Sequence, residues 1–238
     1  MVTRTAGSDE ATAAERRSRR DRAPSGEDRE RDAERSRRKL LAAALDEFSA
    51  KGFAGARVVD IAARAGVNKQ LINYYFNSKE GLYRELQRIW LEREATFSSP
   101  DLPLDELAAR YLLDALGDPR LFRLLLWRGL SDPAEVPPDV TGDGGNLTSS
   151  ADLTSMRDRR SRGELADNLD PAAVLLAVIG MVAAPVALPD MARKIFGSDP
   201  SSPEFAARYG EQLRRIVRHL AGCGLAAAGP ADVSEDGA

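Results

Sequence analysis

The stretch DIAARAGVNKQLINYYFNSKEGLYREL, Asp60 to Leu86, sets two short apolar patterns on either side of one glycine. It then crowds four rings, Tyr74, Tyr75, Phe76 and Tyr83, beside Lys69, Gln70, Asn73 and Lys79. Aromatic residues make up only 6% of the chain, so the crowding asks for a cause. Val58, Ile61, Ala62 and Ala65 recur at helical spacing and Gly66 ends the run. Asn68 stands where an N-cap side chain would accept from the first orphan amides of a new helix. Leu71, Ile72 and Tyr75 give that helix one buried side. A helix to Arg64 or Ala65, a turn at Gly66 that tolerates positive φ, and a short helix from Asn68 make a helix-turn-helix.

The short second helix has the dimensions of the major groove. With Leu71 and Ile72 held inward, Lys69, Gln70, Asn73 and Tyr74 face out. Lysine can donate to guanine, and asparagine or glutamine can bond adenine edges. Tyrosine hydroxyls bond phosphate oxygens. Ser78 reads as the cap of a further helix whose inner side is Leu82, Leu86, Ile89 and Trp90, and Lys79 in its first turn is placed to pair with a phosphate. A small helical hairpin with half-buried tyrosines is the competing reading of the same residues.

Upstream, helical periodicity starts at Arg31, with Leu41, Ala44, Leu45 and Phe48 inward and Gly52 as the stop. Residues 1–30 hold almost no large apolar side chain and predict a disordered Arg-rich arm. Its basic patch (Arg16, Arg17, Arg19, Arg20, Arg22) is either a solvated tail or a source of phosphate contacts. Downstream, the chain reads as helices, with a Pro/Gly/Ser-rich loop from Ser131 to Ser150 and a second loop at Gly197–Glu204. Leu104–Leu116 has helical spacing, and Asp118-Pro119 opens an apolar helix to Leu130. Another covers 152–162, and Asp170-Pro171 opens an Ala-rich helix that Pro185 should kink or end. Pro189 starts a short turn through Phe196, and Phe205–Leu220 is the last helix, with Phe205, Tyr209, Leu213, Ile216, Val217 and Leu220 on one face. The fold class expected is all-α: a three-helix helix-turn-helix domain over 31–86, a helical-bundle domain for ligand binding and dimerisation over 87–225, and a disordered tail at 226–238.

Charge supports the division. Residues 1–98 carry 20 Lys and Arg against 16 Asp and Glu, whereas residues 99–238 carry 14 against 21, so a basic front precedes an acidic rear. One cysteine, Cys223, excludes an internal disulfide framework. One histidine, His219, leaves little for metal or acid–base chemistry, so no metal, no cofactor and no enzyme activity are expected. No apolar run reaches membrane-span length and no apolar signal core is present, which predicts a cytoplasmic protein with no membrane partner.

The segment KGFAGARVVDIAARAGVNKQLINYYFNSKEGLY, Lys51 to Tyr83, resembles the DNA-binding domain of the tetracycline-repressor (TetR) family of bacterial regulators. The landmarks are Gly52-Phe53, Asp60-Ile61-Ala62, Ala65-Gly66-Val67, Tyr75-Phe76, Ser78-Lys79-Glu80 and Leu82, and the likeness covers about Arg35 to Leu86. It implies a homodimer joined through its last two helices, a rear ligand cavity, and repression at a palindromic double-stranded DNA operator relieved by a small-molecule inducer. Candidate DNA-binding residues are Arg57, Asn68, Lys69, Gln70, Asn73, Tyr74, Tyr75 and Lys79. Candidate pocket residues are Tyr111, Phe122, Leu125, Trp127, Arg128, Met156, Leu175 and Met181. Arg128, in an apolar helix, calls for an anionic partner: Asp114, Asp118, solvent or the ligand. Three positions depart from the family pattern. Asn73 replaces a usual DNA-contacting tyrosine, Ala56 replaces a usual helix-capping threonine, and Val59 occupies a usually polar place. A helical small-molecule-binding adaptor acting through protein partners is the alternative function.

Overall fold

The structure, a computed structural model, describes residues 26–132, 134–136 and 150–220. The basic patch at Arg16–Arg22, Cys223 and the predicted tail lie outside them. The described helices are α1 (Gly26–Gly55), α2 (Val58–Ala65), α3 (Gln70–Phe76), α4 (Lys79–Phe97), α5 (Leu104–Gly117), α6 (Pro119–Leu130), α7 (Ser150–Ser161), α8 (Pro171–Ala187), α9 (Pro189–Phe196) and α10 (Pro203–Leu220), with no strand among the described residues. The all-α expectation holds.

The described residues divide between Lys39 and Leu40 into two units. In the first, α1 begins at Gly26, five residues ahead of the apolar periodicity. Glu27 and Asp28 occupy the first turn, where carboxylates complement the helix dipole, and Arg35 pairs with Asp32 at 3.3 Å. This stretch is a polar, exposed helix that periodicity of apolar residues could not register.

In the second unit, Leu40, Ala44 and Phe48 of α1 join a core with Ile61, Ile72, Leu82 and Leu86. Gly52 breaks α1 with φ 70°, in the left-handed region. The α2–α3 turn closes with Gly66 at φ 65°. The Gly66 amide donates to the Ala63 carbonyl and Val67 to that of Ala62, both at 3.1 Å, which satisfies two carbonyls at the helix end. The Asn68 side chain accepts from the Gln70 amide at 2.9 Å, and Ser78 accepts from Gly81 at 3.1 Å, so both capping expectations hold. By contrast α2, preceded by Ala56 and Arg57, has no side-chain cap. Glu47 is 1% exposed and is held by Lys51 and by Arg64 at 3.7 Å, tying α1 to α2 through a buried carboxylate.

Behind this head, α5 packs on α8 and α10, α7 on α8, and α6 on both α5 and α8. Asp118 and Asp170 cap α6 and α8 as expected, each with proline at the first position. Pro185 does not end α8, which continues to Ala187 before a 92° bend into α9. Proline cannot donate to the Met181 carbonyl one turn back, and the Tyr209 hydroxyl donates to that oxygen instead, at 2.7 Å. The expected inward helix from Leu121 to Leu130 holds only for its first part: Leu121, Phe122, Leu124 and Leu125 are buried, while Leu130 is exposed. Phe205, Leu213 and Val217 of α10 are buried within the chain, so that face is not free for a second subunit; Ile216 alone of the predicted set is exposed. No single described helix is long and apolar enough to cross a membrane.

Candidate nucleic-acid interface and ligand cavity

Ile72 and Phe76 anchor α3 in the core, while Leu71 and Tyr75 are half-buried. That anchoring fixes the opposite side. Asn68, Lys69, Gln70, Asn73 and Tyr74 are all exposed, Tyr74 at 76%. The Tyr74 and Tyr75 rings meet edge to face at 4.9 Å. The crowding of rings thus has two causes. Tyr83 is a core residue, packed edge-on against Phe48 at 5.3 Å and Phe53 at 5.1 Å, and Phe76 is an anchor; only Tyr74 stands clear of the fold. Arg57 is exposed at the start of α2. Lys79 lies 4.4 Å from the Phe53 ring centroid, half-buried, and that burial lowers its ammonium pKa. Val59 is exposed beside Arg57, with nothing in the structure to explain an apolar residue there.

The rear domain holds a cavity of about 720 Å³, inside the range of small-molecule sites. Five of the predicted residues, Tyr111, Phe122, Leu125, Met156 and Leu175, line it. Trp127, Arg128 and Met181 do not. The Trp127 indole turns toward α1, donating to the Ser49 carbonyl at 3.0 Å. Met181 places its carbonyl under Tyr209. Arg128 is half-buried away from the cavity, and neither aspartate proposed for it is its exclusive partner: Asp114 accepts from Arg93 at 2.5 Å and Asp118 from Arg120 at 2.8 Å. The arginine that the fold buries is Arg159, on the cavity wall at 1% exposure, bonded to Glu164 and to the Pro100 and Leu102 carbonyls.

The cavity also contains a group that sequence reasoning missed. Glu94 lies on α4 one turn beyond Trp90, and both line the space. The Tyr111 hydroxyl donates to its Oε1 at 2.5 Å and accepts from the Ser98 hydroxyl at 3.3 Å. Burial raises the Glu94 pKa above its ordinary value, aided by the nearby charges of Asp152 and Asp114 and opposed by the Tyr111 bond. The same burial, with the Glu94 bond, pushes the Tyr111 phenol upward. A signal was available: Leu82, Leu86, Trp90 and Glu94 continue one i, i+4 stripe, so the carboxylate falls on the inner face.

A helix-turn-helix with its second helix facing solvent, followed by an all-helical domain around a cavity, defines a transcriptional regulator of the helix-turn-helix class. Residues 40–86 match the family described as bacterial regulatory proteins, tetR family, and residues 103–219 match the tetracyclin repressor-like C-terminal domain. The chain belongs to the TetR family of transcriptional regulators. It is 30% identical over 194 residues to the HTH-type transcriptional repressor SCO4008 of Streptomyces coelicolor, an alignment covering 79% of this chain and 97% of that one. It is 36% identical over 122 residues to the HTH-type transcriptional regulator RutR of Escherichia coli, covering 48% and 58%. Among solved structures, SCO4942 from Streptomyces coelicolor aligns with a TM-score of 0.59 at 28% identity, covering 77% of this chain and 97% of that chain. Among the described residues no group of three or more His, Cys, Asp or Glu is placed to hold a metal ion.

Proposed function

We propose that the chain works in the cytoplasm as a homodimeric repressor whose operator is a roughly palindromic duplex and whose release is driven by a ligand in the 720 Å³ cavity. The observation that carries this reading is the side of α3 opposite Ile72: Lys69, Gln70, Asn73 and Tyr74 are together exposed on a helix whose other side is core. Gln70 and Asn73 would read base edges; Arg57, Lys69, Tyr74, Tyr75 and Lys79 would hold the backbone, with Asn68 fixing the helix start. Two copies of α3 must then reach successive major grooves, about 34–36 Å apart.

The dimer is proposed through α8. Ala173, Leu176, Ala177, Gly180 and Ala184 are exposed and recur at helical spacing, and Ile216 of α10 is exposed as well. Small residues permit close approach of a second helix, and such an apolar stripe is unusual on a free surface. A ligand would favour the pose whose reading heads no longer match the groove spacing, by its difference in affinity for the two poses.

The test is a gel-shift titration of the upstream region of the protein's own gene at two salt concentrations, with light scattering for the oligomeric state. A specific complex of a dimer with a steep salt slope is expected. A monomer with no preference over random duplex would instead favour the adaptor reading.

A further inference from the structure

Taking the cavity as the effector site, we infer that its ligand is an aromatic organic cation, held by Glu94 and stacked among Trp90, Tyr111 and Phe122. The walls argue for this sign of charge. Both cavity arginines are already engaged, since Arg159 and Arg162 each bond Glu164 at 2.7 Å. Glu94 has the Tyr111 hydroxyl as its partner, and no described lysine or arginine forms an ion pair with it. Asp152, on α7, lines the same space and adds negative charge near Glu94. An anion would meet three carboxylates, Glu94, Asp152 and Asp158, and two guanidiniums that are each already paired with Glu164. A cation would supply the counter-charge that Glu94 lacks in a partly desolvated site.

The fold itself holds Arg159 in place. Its Nη1 bonds Glu164 and its Nη2 bonds the Pro100 and Leu102 carbonyls, so the guanidinium is committed to protein partners. The rings supply cation–π and stacking contacts to the body of the ligand.

Two three-ring fluorophores of opposite charge test the idea on the purified full chain without DNA: ethacridine, a cation, and 9-anthracenecarboxylate, an anion. Ethacridine should bind at least tenfold more tightly than the anthracene. Glu94→Gln keeps the acceptor for Tyr111 and removes only the charge. It should weaken ethacridine at least tenfold while melting no lower than the wild type. Equal or tighter binding of the anion, failure of the cation to saturate, or an unchanged ethacridine affinity in Glu94→Gln overturns the inference. If Glu94→Gln melts lower, the cation-to-anion ratio on the wild-type chain still decides it. A wild-type chain that ignores its operator would overturn the proposed function and leave the ligand titration standing.

Discussion

Trp127 donates its indole N–H to the backbone carbonyl of Ser49 at 3.0 Å, and its ring lies so close to Gly52 that a Cβ there would meet it at 3.1 Å. Trp127 is on α6, the helix that also presents Phe122 and Leu125 to the cavity, while Ser49 and Gly52 are on α1. Arg120, at the start of α6, adds a bond to Asp46 of α1 at 2.8 Å. The cavity wall and the DNA-reading head therefore share a mechanical joint. A second runs through Trp90 of α4, whose ring meets Phe122 at 6.5 Å.

Substitutions at this joint should separate stability from coupling. Trp127→Phe keeps most of the ring but removes the indole donor to the Ser49 carbonyl, and should cost about 1 kcal/mol. Gly52→Ala forces a Cβ into φ 70° and against the indole, and should cost about 1–3 kcal/mol. Urea denaturation measures both. Trp127→Ala should also reduce the ligand's effect on operator affinity, in titrations done with and without ligand. An unchanged ratio would show that coupling bypasses α6.

On the reading helix, Asn73→Ala should relax preference at one operator position, costing about 1–3 kcal/mol against the preferred base pair and little against others. Lys69→Ala should weaken all duplexes alike and reduce the slope of log affinity against log salt by about 1. A panel of operator variants read by anisotropy distinguishes the two patterns. If Asn73→Ala weakens every sequence equally, the exposed side of α3 is not reading bases.

What could be read from the sequence was local. Asn68, Ser78 and Asp170 cap helices because a short polar side chain before an apolar run leaves few other options. Gly66 and Gly52 stop helices because they reach left-handed φ without a Cβ penalty. The cavity is different in kind. Its walls come from α4, α5, α6, α7, α8 and the turn at Ser98–Pro100, and no pattern within one helix says which neighbour faces it. Trp127 shows the consequence. It follows Phe122 and Leu125 on an apolar helix, yet falls on the side that meets α1. Arg159 is one charge among many in a polar segment of the sequence, and only the fold makes it the buried one.

The Asn68 cap offers a test of how firmly the reading helix is held. Asn68→Ala removes the acceptor for the Gln70 amide and should cost about 1 kcal/mol. Because α3 has only seven residues, fraying at its start should disturb Gln70 directly. Operator affinity should therefore fall by more than stability alone explains. Thermal melts beside anisotropy titrations measure the two. Ser78→Ala, which uncaps α4, is the matched control, with a similar loss of stability and a smaller loss of affinity.

Glu94 should also leave a signature in the pH dependence of stability. Its folded pKa is raised above the ordinary 4.5, chiefly by burial. The groups facing it are Tyr111 and Asp114 of α5, Asp152 of α7 and Ser98, and the two aspartates push in the same direction as burial. Well below 4.5 the carboxyl is protonated in both states and carries no penalty. As pH rises from there through the folded value, the unfolded chain ionises freely and the native state at a cost, so stability is lost across that window. Glu94→Gln removes this loss. Its melting temperature should match the wild type at about pH 4 and exceed it at about pH 7.5. Added ethacridine should reverse the order at the higher pH, because the cation stabilises only the ionised wild-type side chain. If the variant is no more stable at neutral pH, the Glu94 carboxylate is not carrying a burial penalty, and the charge argument for the ligand loses its energetic basis.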